Sequence, residues 1–232
     1  MFYLNPRYLL FMAPALLAML LAQWYVKSTY NKWSQVRARS GLTGAEAVER
    51  LKTAGGLHGV RVQPVRGELT DHYDPRSKEL NLSQEVYGNA SISSIAIAAH
   101  ELGHAVQDQQ GYVPLRFRSM LVPAVNIGSS LGWILIMIGL LINATGLAWL
   151  GVFAFSGGAI FALATLPVEF NASARAKKLL ETSGIIRGEE ERKGVNQVLN
   201  AAALTYVASL FTAVMQLLYW ISLVSGSGRR RS

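Results

Sequence analysis

The fold class of this chain is decided by two segments, LVPAVNIGSSLGWILIMIGLLI (residues 121–142) and GLAWLGVFAFSGGAIFALATL (146–166), which Asn143-Ala144-Thr145 joins. Neither segment contains a charged residue, and each is close to the ~20 residues that a helix needs to cross a bilayer. A soluble protein rarely hides so much apolar surface. The two segments therefore predict a hairpin of membrane-spanning helices.

Two further segments have the length and apolar character of a span, Tyr8–Val26 and Ala201–Val224. The first ends in Gln23-Trp24-Tyr25, whose two aromatic residues favour a membrane interface. Only Arg7 precedes it and no Ala-x-Ala site follows, which favours an uncleaved anchor over a cleaved signal peptide. We therefore expect a mainly α, integral membrane helical bundle of about four transmembrane helices.

Composition narrows the class of protein further. The chain has no cysteine, which excludes disulfides, cysteine zinc sites and a thiol nucleophile. Its net charge is +8, but basic and aromatic residues do not alternate as they do in a nucleic-acid groove. We expect no nucleic-acid partner and attribute the charge to anionic lipid headgroups of the bilayer.

The distribution of lysine and arginine predicts an orientation in the plasma membrane. With four spans, one side of the membrane holds Lys27, Lys32, Arg37, Arg39, Arg116, Arg118, Arg175, Lys177 and Lys178. The opposite side holds Arg7, Arg229, Arg230 and Arg231. The first side is therefore expected to be cytoplasmic, with both termini outside, although the basic C-terminal tail argues against this.

A second informative stretch is His100-Glu101-Leu102-Gly103-His104, a His-Glu-x-x-His motif. On a helix, side chains four residues apart lie about 5–6 Å apart on one face, which suits two imidazoles that hold one Zn²⁺. The glutamate between them is placed to take a proton from a water at the metal. The alternative is a surface helix whose two histidines bind nothing.

The neighbouring sequence favours a buried motif helix. Apolar residues occupy most positions around it, and burying histidine and glutamate without a partner is costly. Ser91 or Asn89 is expected to cap the start of this helix, and Gly111 to end it.

The segment before the motif predicts a small α+β domain. Thr43-Gly44-Ala45-Glu46 has the pattern of a capping box. Residues 60–65 alternate like a strand, and 68–73 and 78–82 resemble a hairpin in which Leu80 and Leu82 face the core. The hairpin either clamps an extended substrate along its edge or only packs over the motif helix.

A catalytic zinc needs a third protein ligand, and Glu169 is the favoured candidate. Asp108 lies about 12 Å along the helix from His100, too far to share a metal with both histidines. His58 and His72 remain possible, although both precede the motif. Glu169 is a lone carboxylate between apolar residues just after a span, which is costly unless it is paired.

The sequence around Glu169 also predicts a helix and allows a simpler role for the carboxylate. Pro167 is expected in the first turn of a new helix that leaves the span. Two spans separate Glu169 from His104, which places both on one side of the membrane. The alternative is an ion pair of Glu169 with Arg175 or a loop lysine.

Nearly the whole chain resembles the YugP-type bacterial membrane neutral zinc metallopeptidases. Four segments carry this resemblance: HELGHAVQ, DHYDPRSKELNLS, LPVEFNASARA and VLNAAALTYVA. The resemblance implies His100 and His104 as metal ligands, Glu101 as catalytic base and Glu169 as third ligand of one Zn²⁺ per chain. This is the gluzincin-like scheme of His-Glu-x-x-His with a downstream glutamate. Ser173 stands where some relatives have aspartate, which leaves the partner of His100 or His104 open.

The expected activity is zinc-dependent hydrolysis of peptide bonds in membrane or membrane-proximal proteins, with an endopeptidase favoured over an exopeptidase. The alternative is a non-enzymatic membrane adaptor or chaperone with a structural zinc. Five residues are candidates to stabilise the oxyanion or orient the ligands: His72, Tyr73, Tyr87, Asn171 and Arg175.

The expected division of the chain has five parts: an anchor (1–26), the zincin-like domain (27–120), the transmembrane hairpin (121–166), a helical segment carrying the third ligand (167–200), and a last span with a basic tail (201–232). The sequence does not specify an oligomeric state or a protein partner.

Overall fold

A computed structural model describes residues 6–228, and the predicted basic tail Arg229–Arg231 lies outside this range. The helices are α1 (Pro6–Ser34), α2 (Gly44–Gly55), α3 (Gln84–Gly88), α4 (Ile92–Gln109), α5 (Val113–Leu141), α6 (Thr145–Thr182) and α7 (Glu189–Gly228), and the strands are β1 (Arg61–Val65), β2 (His72–Asp74) and β3 (Glu79–Ser83). The prediction of a mainly α fold with a small sheet is confirmed.

Four helices, α1, α5, α6 and α7, are long and apolar enough to cross a membrane. All four are longer than the apolar segments that predicted them, because the helical backbone continues into the polar flanking sequence. The chain divides into two compact units, and these four helices supply residues to both.

The apolar unit comprises residues 6–22, 116–166 and 205–228 of the described chain. It contains the predicted hairpin, in which α5 ends at Leu141 and α6 begins at Thr145. A Cβ built on Gly151 would lie 2.6 Å from the backbone nitrogen of Ile136 and 2.7 Å from the carbonyl oxygen of Gly132. The two helices can therefore approach this closely only through glycine.

The sheet unit comprises residues 23–115 and 167–204. Its strands lie in the order β1-β3-β2, with β1 parallel and β2 antiparallel to the central β3. Leu80 and Leu82 of β3 are fully buried, as the alternation in the sequence predicts. They share one apolar core with the motif helix α4, whose Ile95 and Leu102 are also fully buried.

The predicted helix boundaries in the sheet unit are confirmed. Thr43 caps α2 in a reciprocal capping box with Glu46, and the Ser91 hydroxyl accepts a hydrogen bond from the Ser94 backbone N–H at the start of α4. After α4 ends, Gly111 adopts a left-handed backbone conformation with φ of 63°. The Ser91 cap and Gly111 mark where the motif helix begins and ends.

One prediction about α6 is wrong. Pro167 lies inside this helix and not in the first turn of a new one. Proline lacks an N–H and removes one backbone hydrogen bond, but the helix continues through it, as helices of membrane proteins tolerate. Glu169 is therefore held by a helix that runs unbroken from Thr145 to Thr182.

Candidate metal centre

Three side chains of the sheet unit converge on one point, His100 and His104 from α4 and Glu169 from α6. The Nε2 atom of His100 lies 3.2 Å from Oε2 of Glu169, and Nε2 of His104 lies 3.5 Å from the same oxygen. One ligand atom from each residue lies within 4.8 Å of the others. Two nitrogens and one carboxylate oxygen at this spacing form a set of donors that suits zinc.

The approach of α4 to α6 depends on Gly103, inside the motif. A Cβ built on Gly103 would lie 2.5 Å from the carbonyl oxygen of Ala172, which is itself fully buried. The backbones of the two helices are therefore in direct contact between the two histidines. This contact brings the Glu169 side chain within reach of both imidazoles.

The second nitrogen of each imidazole also has a protein partner. Nδ1 of His100 lies 3.2 Å from the Ser173 hydroxyl, and Nδ1 of His104 lies 3.0 Å from the amide oxygen of Gln107. Such contacts orient a metal-binding imidazole and fix which nitrogen is free for the metal. In both residues here, Nε2 is the nitrogen that faces Glu169.

Glu101 lies on α4 beside the convergent group and is held by the sheet. One of its carboxylate oxygens, Oε2, accepts a hydrogen bond of 3.1 Å from the backbone N–H of Tyr73 in β2. The Tyr73 hydroxyl donates a 2.7 Å hydrogen bond to Asp108, further along α4. Strand β2 is thus attached to the motif helix at two points.

The charges of the site favour a cation. Burial alone would lower the pKa of His104, but the carboxylates of Glu169 and Glu101 raise it above its ordinary value. Glu169 is only 2% exposed, so its charge needs a positive neighbour within the protein. A metal ion or a proton on the imidazole meets this need.

The arrangement around His104 provides a test of whether a metal fits. The amide nitrogen of Gln107 donates to the Val168 carbonyl and to Asn171, so its oxygen faces the ring and Nδ1 must carry a hydrogen. In a neutral His104, the lone pair of Nε2 then points at the Glu169 carboxylate. Nε2 and the carboxylate oxygen are both acceptors, so neither can donate a hydrogen bond to the other. A cation held between them removes this conflict, so the residues present fit a metal ion.

The remaining predicted candidates occupy different surroundings. His72 is exposed and its Nδ1 contacts the Thr70 carbonyl, while Tyr87 is half-buried against the core. Asn171 accepts hydrogen bonds from Gln107 and from Nε of Arg175. Their roles in catalysis, like those of the three convergent residues, stay predictions.

Arg175, which the sequence offered as a partner for Glu169, is engaged elsewhere in the sheet unit. Its guanidinium donates to Asn171 and to the side chain of Gln110, and it lies over the Tyr112 ring. Glu169 instead contacts the two histidines.

Reasoning from the sequence missed Gln107 and Gly103. Gln107 is three residues beyond His104 and therefore on the same helical face, and it is the first polar residue after Ala105 and Val106. These two features could have marked it as a local partner of the imidazole, but not as a contact of α6. Gly103 carried no such signal, because a close approach of two helices depends on residues far apart in the chain.

Comparison with known proteins agrees with this geometry. Residues 8–225 match the family described as "putative neutral zinc metallopeptidase". The chain belongs to this family. It is also 48% identical over 200 residues to the "putative membrane protease YugP" of Bacillus subtilis (strain 168), covering 86% of this chain and 88% of that protein. No solved structure matches the chain significantly.

Membership of the zinc metallopeptidase family identifies the cation that the site is built for. The family implies Zn²⁺, and the group of His100, His104 and Glu169 could hold it. The resemblance that the sequence motifs indicated is thereby confirmed.

Proposed function

We propose that this zinc metallopeptidase hydrolyses internal peptide bonds of membrane or membrane-proximal proteins. The observation that carries the proposal is the convergence of His100, His104 and Glu169 on one point, with the carboxylate of Glu101 beside them. Three protein donors leave one position of a tetrahedral metal for water or substrate, the arrangement of catalytic sites.

The proposed roles follow from the chemistry of these groups. Zinc held by His100, His104 and Glu169 supplies Lewis acidity, which polarises the peptide carbonyl and makes water more acidic. Glu101 accepts the proton of the attacking water and then returns it to the leaving amine. The hydrogen bond from the Tyr73 backbone N–H fixes Oε2 of Glu101, which leaves its other oxygen for the proton.

The membrane setting supports the proposed class of substrate. The relative from Bacillus subtilis is named as a membrane protease, and four helices of this chain are apolar enough to cross a bilayer. Glu169 follows the uncharged stretch that ends at Leu166 by only a few residues. We further propose that the site faces the cytoplasm, on the side to which the larger number of lysines and arginines belongs.

The alternative of an adaptor with structural zinc receives less support. Structural zinc sites usually have four protein ligands. Within residues 6–228, the convergent group contains three histidine or carboxylate side chains.

The proposed division of the chain places the motif in segment 27–120 and the third ligand in segment 167–200. The sheet unit contains parts of both segments.

The proposal is tested with the full-length protein in liposomes and an unstructured peptide tethered to the membrane. Glu101→Gln should retain zinc but lower the rate of cleavage by about 10²–10⁴-fold, the usual contribution of a general base. Glu68→Gln, in an exposed loop before β2, is the matched control and should cleave normally. Normal cleavage by Glu101→Gln would show that another group is the base.

A second measurement tests the third ligand. Glu169→Ala should lose zinc during dialysis under conditions in which the unchanged protein retains it, because only two donors of the group remain. Zinc content is measured by atomic absorption together with protein concentration. Full zinc retention would contradict the assignment and return His58 and His72 as candidates.

A further inference from the structure

Gln107 connects the metal centre to α6 through three hydrogen bonds. Its amide oxygen lies 3.0 Å from Nδ1 of His104, and its amide nitrogen lies 2.8 Å from the Val168 carbonyl oxygen and 3.0 Å from Oδ1 of Asn171. The side chain is fully buried. A buried amide with all of these contacts is fixed in orientation, since rotating it would place donors against donors and acceptors against acceptors.

The amide contacts extend to a second layer of residues. Asn171 receives a further hydrogen bond of 2.6 Å from Nε of Arg175, whose guanidinium also donates to Gln110 and covers the Tyr112 ring. Arg175 cannot accept a hydrogen bond, so Asn171 must present its oxygen to both Arg175 and Gln107. Asn171 and the Val168 carbonyl thus both require the amide nitrogen of Gln107 to face them.

We infer that Gln107 is a positioning residue that holds His104 in the form with a hydrogen on Nδ1 and a free Nε2, ready for zinc. This inference rests on the proposed zinc site. A histidine in water exchanges between two neutral forms, and only the form with a free Nε2 can bind a metal through that atom. The amide oxygen of Gln107 accepts from Nδ1–H and so favours this form before zinc arrives.

The experiment compares zinc dissociation constants of full-length variants in detergent, measured by competition with a chelating dye. Gln107→Met fills a similar volume without the amide, and it should weaken zinc binding about 10–100-fold, as loss of such supporting contacts does elsewhere. Gln107→Glu keeps an oxygen for Nδ1–H and, when protonated, a hydroxyl donor for the Val168 carbonyl, so it should weaken zinc binding less than Gln107→Met does.

Gln197→Met is the matched control. Gln197 accepts a 2.9 Å hydrogen bond from the Trp33 indole between α7 and α1, so this change also removes a contact between helices of the sheet unit but does not touch a histidine. It should leave the zinc dissociation constant unchanged. Equal weakening by both methionine variants would indicate general destabilisation and overturn the inference.

A spectroscopic readout tests the orientation directly. The chain has four histidines, so their ring N–H signals are few enough to assign in ¹⁵N-labelled protein. The Nδ1–H of His104 should exchange slowly with water in the zinc-loaded protein and in Gln107→Glu. In Gln107→Met, the same hydrogen should exchange quickly. Slow exchange in Gln107→Met would contradict the proposed contact.

A further variant, His104→Ala, distinguishes a failure of this inference from a failure of the proposed zinc site. If His104→Ala binds zinc as tightly as the unchanged protein, the ligand assignment fails and the inference fails with it. If His104→Ala loses zinc while Gln107→Met keeps full affinity, the zinc site stands and only the positioning role of Gln107 is wrong.

Discussion

At the scale of single residues, the motif contains a position whose importance is steric. Gly103 lies between the two histidines, and its missing side chain lets the α4 backbone contact the Ala172 carbonyl of α6. Since Glu169 is carried by α6, the distance between its carboxylate and the imidazoles depends on this contact. The two histidines can therefore meet the Glu169 carboxylate only because the residue between them on α4 is small.

Gly103→Ala should destabilise the protein by about 1–3 kcal/mol, the usual cost of overfilling a well-packed interior. It should also weaken zinc binding, because α6 must move away from α4. Thermal unfolding in detergent with and without zinc measures both effects. Gly59→Ala is the matched control, because a Cβ at Gly59 would meet open space. Unchanged stability and zinc affinity in Gly103→Ala would contradict the close approach.

Much of the site was predictable from single residues because its geometry is local. His100, Glu101 and His104 belong to one helix, so their spacing in the sequence fixes their relative positions. Glu169 was predictable for a different reason, namely the cost of an unpaired carboxylate in apolar surroundings. Gln107 was not predicted, since its contacts to Val168 and Asn171 join segments that the sequence does not place side by side.

At the scale of secondary-structure elements, the connection between α5 and α6 lies where the sequence predicts it, whereas α6 continues beyond its predicted end. The hairpin was predicted from two uncharged segments joined by Asn143-Ala144-Thr145, and the structure ends α5 at Leu141 and begins α6 at Thr145. The end of the apolar segment beside Pro167 looks like a helix boundary, but the helix continues through the proline. The interior of an apolar span is thus easier to predict than its end.

Gly151→Leu should prevent close packing within the hairpin, because the new side chain would meet the backbone of Ile136 and Gly132. We expect a lower midpoint of thermal unfolding in detergent and less folded protein in membranes. Gly146→Leu is the comparison, since it lies at the start of the same helix and a Cβ there would meet nothing within 4 Å. Similar behaviour of the two variants would argue against glycine-dependent packing.

At the scale of the whole molecule, the number of spans and the orientation in the membrane rest on different properties of the sequence. Hydropathy gave the number of spans, and the structure has four helices long and apolar enough to cross. The side of the membrane depends on where lysine and arginine lie, which is a property of insertion and not of the folded chain. The orientation therefore stays a prediction.

Single cysteines can test this orientation cleanly, because the chain contains no cysteine of its own. Arg66→Cys, in an exposed loop of the sheet unit, should react with a membrane-impermeant maleimide only after cells are opened. Gly146→Cys, in the exposed first turn of α6, should react in intact cells. The reverse pattern would place the site outside the cytoplasm.

The hydrogen bond between Tyr73 and Glu101 has a consequence for how a peptide could bind. Among residues 6–228, strand β2 pairs with β3 on one side only. The hydrogen bond from the Tyr73 N–H to Glu101 shows that this N–H points away from β3. A guest strand that paired along this free edge would compete with Glu101, the proposed base, for that N–H. An extended substrate must therefore either leave position 73 unpaired or displace Glu101 as it docks.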